Sequence, residues 1–216
     1  MGTTAPGASP DLNVGLAGAL ERTGAADLLD MLGEISLSDR RHCERVGQMT
    51  MFVAAQAGCQ PDTAIRAGFA GSMHDVGKVD PSVQELITSA APLTAVERIQ
   101  VNYRHTSYGA LLISAIGFEG EDGESVREAV KAARYHHHPA RDLITLPEPT
   151  PITRMVQVAD RFDAMQDGSR PYRDEPMTAL RAAALIEEDL RGAGAWDRVT
   201  GTTLELLHVN NGNWHS

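Results

Sequence analysis

The stretch GSMHDVGKVD, residues 71–80, sets a histidine directly against an aspartate, His74 and Asp75, near the end of a segment with helical periodicity. Side chains adjacent on a helix point about 100° apart. A carboxylate so placed can reach two cations while the imidazole beside it binds one. The pair therefore raises the question of what else in the chain converges on it.

Working outward, apolar residues recur at spacings of three and four in segment after segment, and the β-branched alternation that would mark strands is missing. The pattern predicts an all-α fold with helices over about 11–22, 25–34, 39–57, 62–75, 94–116, 123–138, 152–166, 176–190 and 197–208. Thr94 and Glu97 have the spacing of a capping box, Asp62 is expected to cap its helix, and Pro147, Pro149 and Pro151 punctuate the chain before the helix that contains Asp160.

The histidines fall on the apolar stripes of these helices. His42, Val46, Met49, Val53 and Ala57 follow one stripe. His105 shares another with Val101, Tyr108, Leu112 and Ile116, while Arg98, Asn102 and Arg104 lie off it. In ARYHHHPARD, His137 continues the stripe of Val126, Val130 and Ala133, His136 lies beside Ala129 and Ala133, and His138 is turned a further step away. A lone inward histidine is usually a hydrogen-bonded core residue. Several helices doing it together imply more, because burying imidazoles and carboxylates without partners is costly and one shared metal site satisfies them all. The segment QVADRFDAM adds Asp160 as a further candidate ligand, with Asp163 one turn later expected to hydrogen-bond a ligand rather than bind metal itself.

Composition limits the partners. The chain has 216 residues, room for one domain with its own core, and a formal net charge of -10. That charge argues against a nucleic-acid polymer or an anionic membrane surface, so an anionic substrate would be held locally. Cys43 and Cys59 are too few for a disulfide scaffold and are expected to be buried in a reduced compartment. The N-terminal MGTTAPGASPDLNVG has no basic region and no long apolar core, and no run of apolar residues is long enough to cross a bilayer, which predicts a cytoplasmic protein. Residues 1–10 read as a disordered lead-in, 11–37 as a helical preface able to support a homodimer, and 38–210 as the main domain.

The ordered series His42, His74-Asp75 with Gly77-Lys78, His105, His136-His137 and Asp160 carries recognisable flanks: HCERVG, MHDVGKVD, APLTAVERIQVNYRHTSYGALLI and VADRFDAMQDGSRPYR. Over residues 38–208 it resembles the HD superfamily of metal-dependent phosphohydrolases and, within it, the HD-GYP branch. The resemblance implies a helical bundle with a dinuclear site in its core. His42, His74, Asp75 and Asp160 would hold one metal and Asp75, His105, His136 and His137 the second, with Asp75 bridging. Asp75 and Lys78 would be catalytic, and Lys78, Arg170 and Arg173 would bind substrate phosphate. Two divalent transition-metal ions about 3.5–4 Å apart suit phosphodiester hydrolysis, because they clamp the phosphate and lower the pKa of a shared water. The mixed His/Asp donors suit iron, manganese or zinc, and the resemblance tilts toward iron.

Two departures bear on the substrate. The branch follows its paired histidines with Glu and a loop ending in Gly-Tyr-Pro, whereas here His138, Pro139, Ala140 and Arg141 follow and the tripeptide is absent. Members with three metals also carry an acidic residue where this chain has Ser38, which points to two ions. The resemblance therefore implies a phosphodiesterase acting on a cyclic dinucleotide of the cyclic di-GMP type or a related nucleotide. The alternatives are an HD-fold di-iron oxygenase, disfavoured because adjacent His136 and His137 leave oxygen no open position, and a non-catalytic cyclic-dinucleotide receptor, disfavoured because every expected ligand is present.

Overall fold

The described residues contain ten α-helices and one 3-10 turn, with no strand among them. The computed structural model describes residues 9–89, 92–137, 149–168 and 176–210. The expected lead-in up to residue 8, together with His138, Pro147, Arg170, Tyr172 and Arg173, lies outside the described residues.

The helices are α1 (Pro10–Thr23), α2 (Ala25–Ile35), α3 (Leu37–Gln56), α4 (Pro61–Met73), α5 (Pro81–Ile87), α6 (Ala95–Ile116), α7 (Gly123–Tyr135), α8 (Pro151–Gln166), α9 (Ala179–Gly192) and α10 (Arg198–Val209), with the 3-10 turn Val76–Val79 between α4 and α5. Their starts follow the chemistry of orphan amide groups. Ser36, Thr94, Thr150, Thr178 and Asp197 each accept a backbone N–H one turn into the helix they precede, and Thr94 with Glu97 closes the expected capping box.

Several boundaries differ from the sequence expectation. Asp62 is not a cap: Gln60 precedes α4 and Pro61 opens it, which places Asp62 in the first turn, where its charge faces the helix dipole. Thr178 accepts from the Arg181 N–H and delays α9 to residue 179. Helix α4 stops at Met73 instead of running through Asp75, because the backbone tightens there and the Lys78 N–H bonds back to the Asp75 carbonyl at 3.0 Å. Helix α5 was not expected, although Asp80-Pro81 is a start signal and the Asp80 carboxylate does accept the Ser82 N–H. Ala57 is exposed just beyond α3, and Cys59 is only half-buried while Cys43 is buried.

Helices α3 and α4 form the most extensively packed pair, and α4 also packs on α7, α8 and α1. Small residues let α3 and α4 approach: a Cβ on Gly71 would stand 2.8 Å from the Val46 carbonyl oxygen, and one on Gly47 2.9 Å from that of Gly68. Helices α6 and α7 pair beside them, and α8 closes over α3 with α9 and α10 behind it. The preface is docked: α1 lies on α4, and α2 on α3 and on the 3-10 turn. Val46, Met49, Val53, Phe69, Met73, Val156 and Phe162 are among the fully enclosed apolar residues. Within this apolar surround sit His42, His74, Asp75, His105, His136, Asp160 and Asp163, all buried. Among the described residues no helix is long and apolar enough to cross a membrane.

Candidate metal centre

Five structural pieces deliver the side chains. His42 comes from α3, nearly two turns past its Ser36 cap, His105 from the middle of α6, and Asp160 from α8. His74 follows the last residue of α4 and Asp75 opens the 3-10 turn, with φ −110° and ψ 7°. Helix α7 ends at Tyr135, so His136 and His137 lie just past it instead of inside a helix reaching 138. The two sets proposed from sequence come together. Donor atoms of His42, His74, Asp75 and Asp160 all lie within 4.8 Å of one another, as do those of Asp75, His105, His136 and His137, and Asp75 belongs to both.

The imidazole tautomers follow from their partners, because a carbonyl oxygen can only accept. His74 Nδ1 donates to the Gly71 carbonyl at 2.7 Å, His105 Nδ1 to that of Val101 at 2.6 Å, and His136 Nδ1 to that of Ala133 at 3.0 Å. His42 Nδ1 donates to the Asp163 carboxylate at 2.6 Å. When neutral, each of these rings turns a bare Nε2 lone pair inward. The Nε2 atoms of His105 and His136 sit 3.2 and 3.4 Å from Asp75 Oδ1, and those of His42 and His74 sit 3.0 and 3.6 Å from Asp160 Oδ1. Lone pairs facing carboxylate oxygens repel unless a cation or proton lies between them. His74 Nε2 and Asp75 Oδ1 have no hydrogen-bond partner at all, although both are buried. The donor set fits a divalent transition metal: imidazole nitrogens held by outer partners, mixed with carboxylate oxygens.

Charge reinforces the arrangement. Burial pushes the His74 pKa down and His137 well below the ordinary histidine value, which favours the unprotonated form that a metal ligand must have. Burial works the other way on Asp75 and Asp160, yet the Lys78 ammonium beside Asp75 and the imidazoles of His42 and His74 beside Asp160 hold both well below the usual carboxylate range. Lys78 Nζ lies 2.5 Å from Asp75 Oδ2 and 3.2 Å from Asp39 Oδ1, at the edge of the cluster.

Beyond the expected residues, an outer layer appears around His42. Asp163 takes the predicted place as its hydrogen-bond partner, and Arg45 grips Asp163 through two bonds of 2.7 and 2.8 Å while also bonding Asp167 at 2.8 Å. Burial raises the Asp163 pKa, but the hydrogen bonds from His42 and Arg45 outweigh it and bring it down to about 2. Arg45 and Asp39 were not among the residues singled out from sequence. Each stands three residues from His42 on α3, a spacing that puts all three on neighbouring faces and could have flagged them.

The family described as HD domain matches residues 40–165, more than half of the chain. The chain belongs to the HD-domain family. A cyclic di-GMP phosphodiesterase of Thermotoga maritima is 26% identical to it over 155 residues, which cover 68% of this chain and 40% of that protein. The HD chain thus spans about two fifths of the length of that relative. The matched segment holds all seven converging residues, from His42 on α3 to Asp160 on α8.

Proposed function

We propose that this HD-domain chain is a metal-dependent phosphodiesterase whose two ligand sets each hold one divalent ion. The observation that carries the reading is the inward convergence of imidazole lone pairs on two carboxylates, with Asp75 shared between the sets. The likeness to a cyclic di-GMP phosphodiesterase supports the reaction class. Two bound cations would supply charge neutralisation at the phosphate and a nucleophile at neutral pH.

The chain's own residues would divide the remaining work. His42, His74 and Asp160 would fix one ion, His105, His136 and His137 the other, and Asp75 would set their spacing. Lys78 would offer its ammonium to a phosphate oxygen in a charge-assisted hydrogen bond. Arg170 and Arg173 would extend the grip on the substrate phosphate. The donor set suits iron, manganese or zinc, and the resemblance favours iron. The substrate would be a cyclic dinucleotide or related nucleotide, with cyclic di-GMP cleaved slowly or in common with others because the Gly-Tyr-Pro loop is missing from the sequence. Residues 38–210 would form the active unit, and a homodimer through α1 and α2 belongs to the same proposal, supported by the exposure of Val14, Met31 and Ile35.

The deciding experiment is elemental analysis of anaerobically purified protein, combined with a hydrolysis panel of bis(p-nitrophenyl) phosphate and of cyclic and linear nucleotides. Two ions per chain and metal-dependent cleavage of a phosphodiester are expected. A fully loaded protein that cleaves none of the panel would move the assignment to a cyclic-dinucleotide receptor or a di-iron oxygenase.

A further inference from the structure

Among the described residues, the carboxylates of Asp75 and Asp39 both lie within reach of the Lys78 ammonium, and they stand in different positions. Asp75 is a member of both ligand sets, whereas Asp39 is in neither. The Asp39 side chain is itself held in place. Ser36 Oγ donates to Asp39 Oδ2 at 2.7 Å and accepts the Asp39 N–H at 3.2 Å, so the residue that caps α3 also aims the carboxylate. On the other side, the Gln84 side chain donates to the Lys78 carbonyl at 2.6 Å and pins the backbone of the 3-10 turn. The result is a line of contacts running Ser36, Asp39, Lys78, Asp75 from the α2–α3 junction into the cluster.

Metal loading would change the balance along that line. Cations coordinated by Asp75 would draw off its negative charge and repel an ammonium only a few ångströms away, since like charges at that separation are poorly screened at a protein edge. Asp39 would be left as the counterion that keeps Lys78 beside the cations instead of letting it swing into solvent. We propose that Asp39 is a positioning residue: it holds the Lys78 ammonium at the edge of the metal cluster, where it meets a phosphate oxygen. This rests on the metal-dependent phosphodiesterase reading above, and it makes the α2–α3 junction part of the phosphate site.

The test uses the full chain loaded with metal, with inorganic phosphate as the probe and calorimetry as the readout, applied to wild type, Asp39→Asn, Lys78→Met and the double variant. Asparagine retains the backbone N–H that Ser36 caps, and circular dichroism with elemental analysis checks that fold and metal content are kept. Phosphate affinity is expected to fall about tenfold in Asp39→Asn, the scale of one hydrogen bond to a charged group, and by a similar factor in Lys78→Met. The double variant should be no weaker than Lys78→Met alone, because Asp39 acts only through the lysine.

Unchanged affinity in Asp39→Asn would overturn the proposal. So would a gain in affinity that persists in the Lys78→Met background, which would make Asp39 a simple repulsive charge, and so would loss of an ion from Asp39→Asn, which would make it a ligand. A loaded wild type that fails to bind phosphate overturns it as well. A wild type that binds phosphate with the expected Asp39 dependence, but cleaves no diester, would sink the hydrolase reading and leave Asp39 in its assigned role.

Discussion

The two ligand sets share Asp75 yet differ in how one of their histidines is braced. In the set on α3, α4 and α8, His74 bonds the nearby Gly71 carbonyl, but His42 is held by side chains that only helix packing brings together: it leans on Asp163, Asp163 on Arg45, and Arg45 also on Asp167. The set at α6 and the end of α7 is braced locally, with His105 and His136 each bonding a carbonyl three or four residues back in its own chain segment. The first bracing works only when α3 and α8 are packed together. The second forms with its own helices. The first set should therefore be sensitive to distant charge changes and the second mainly to changes in its own ligands.

The sharpest way to break this contrast is to remove what the sets share. Asp75→Ala is expected to abolish binding at both, lowering affinity more than about a hundredfold in elemental analysis after reconstitution; retention of one ion would show that Asp75 serves only one set. Next in size, His137→Ala should empty the α6–α7 set alone while His138→Ala leaves metal content unchanged. Loss of an ion from the His138 variant would put the chain after α7 in a different register from the one described.

A smaller effect should separate the two bracings. Asp163→Ala is expected to weaken the first site about ten- to a hundredfold and leave the second within a few-fold, as measured by stepwise metal titration. Equal weakening at both would remove the distinction. The smallest effect concerns the metal-free protein in acid. The Asp163 pKa is lowered from 3.8 to about 2 on folding, so its stabilisation is fully present above about pH 4 and is lost as the pH falls through 2. The amount is on the order of 2 kcal/mol. Chemical denaturation of wild type should show that decline between pH 4 and 2, and Asp163→Ala should show less of it.

The helices and most of the cluster were legible because both follow from periodicity. A buried histidine on a stripe of Val46, Met49 and Val53 must face the core, and the same holds for His105 beside Val101. Helix ends were less legible, since the stop of α4 at Met73 depends on a 3-10 turn that periodicity does not encode. Asp163 could be foreseen one turn after Asp160, whereas Arg45 and Asp39 could not be assigned. Their partners, Asp163 and Lys78, lie 118 and 39 residues away, and only the packing of helices brings them together.

The 3-10 turn also touches α6 without any side chain between them. A Cβ on Gly77 would overlap the His105 carbonyl oxygen, and the Gly77 nitrogen lies 3.1 Å from where a Cβ on Gly109 would stand. The carbonyl blocked by Gly77 belongs to the very residue whose ring faces Asp75. The spacing between the two halves of the site is thus set by backbone against backbone, with no side chain whose size could be adjusted. Mutational drift can retune a gap filled by a methyl group in small steps, but here the smallest available step is a whole Cβ. The distance across the cluster should consequently be among the least adjustable dimensions of the protein, and specificity would have to be altered at the rim.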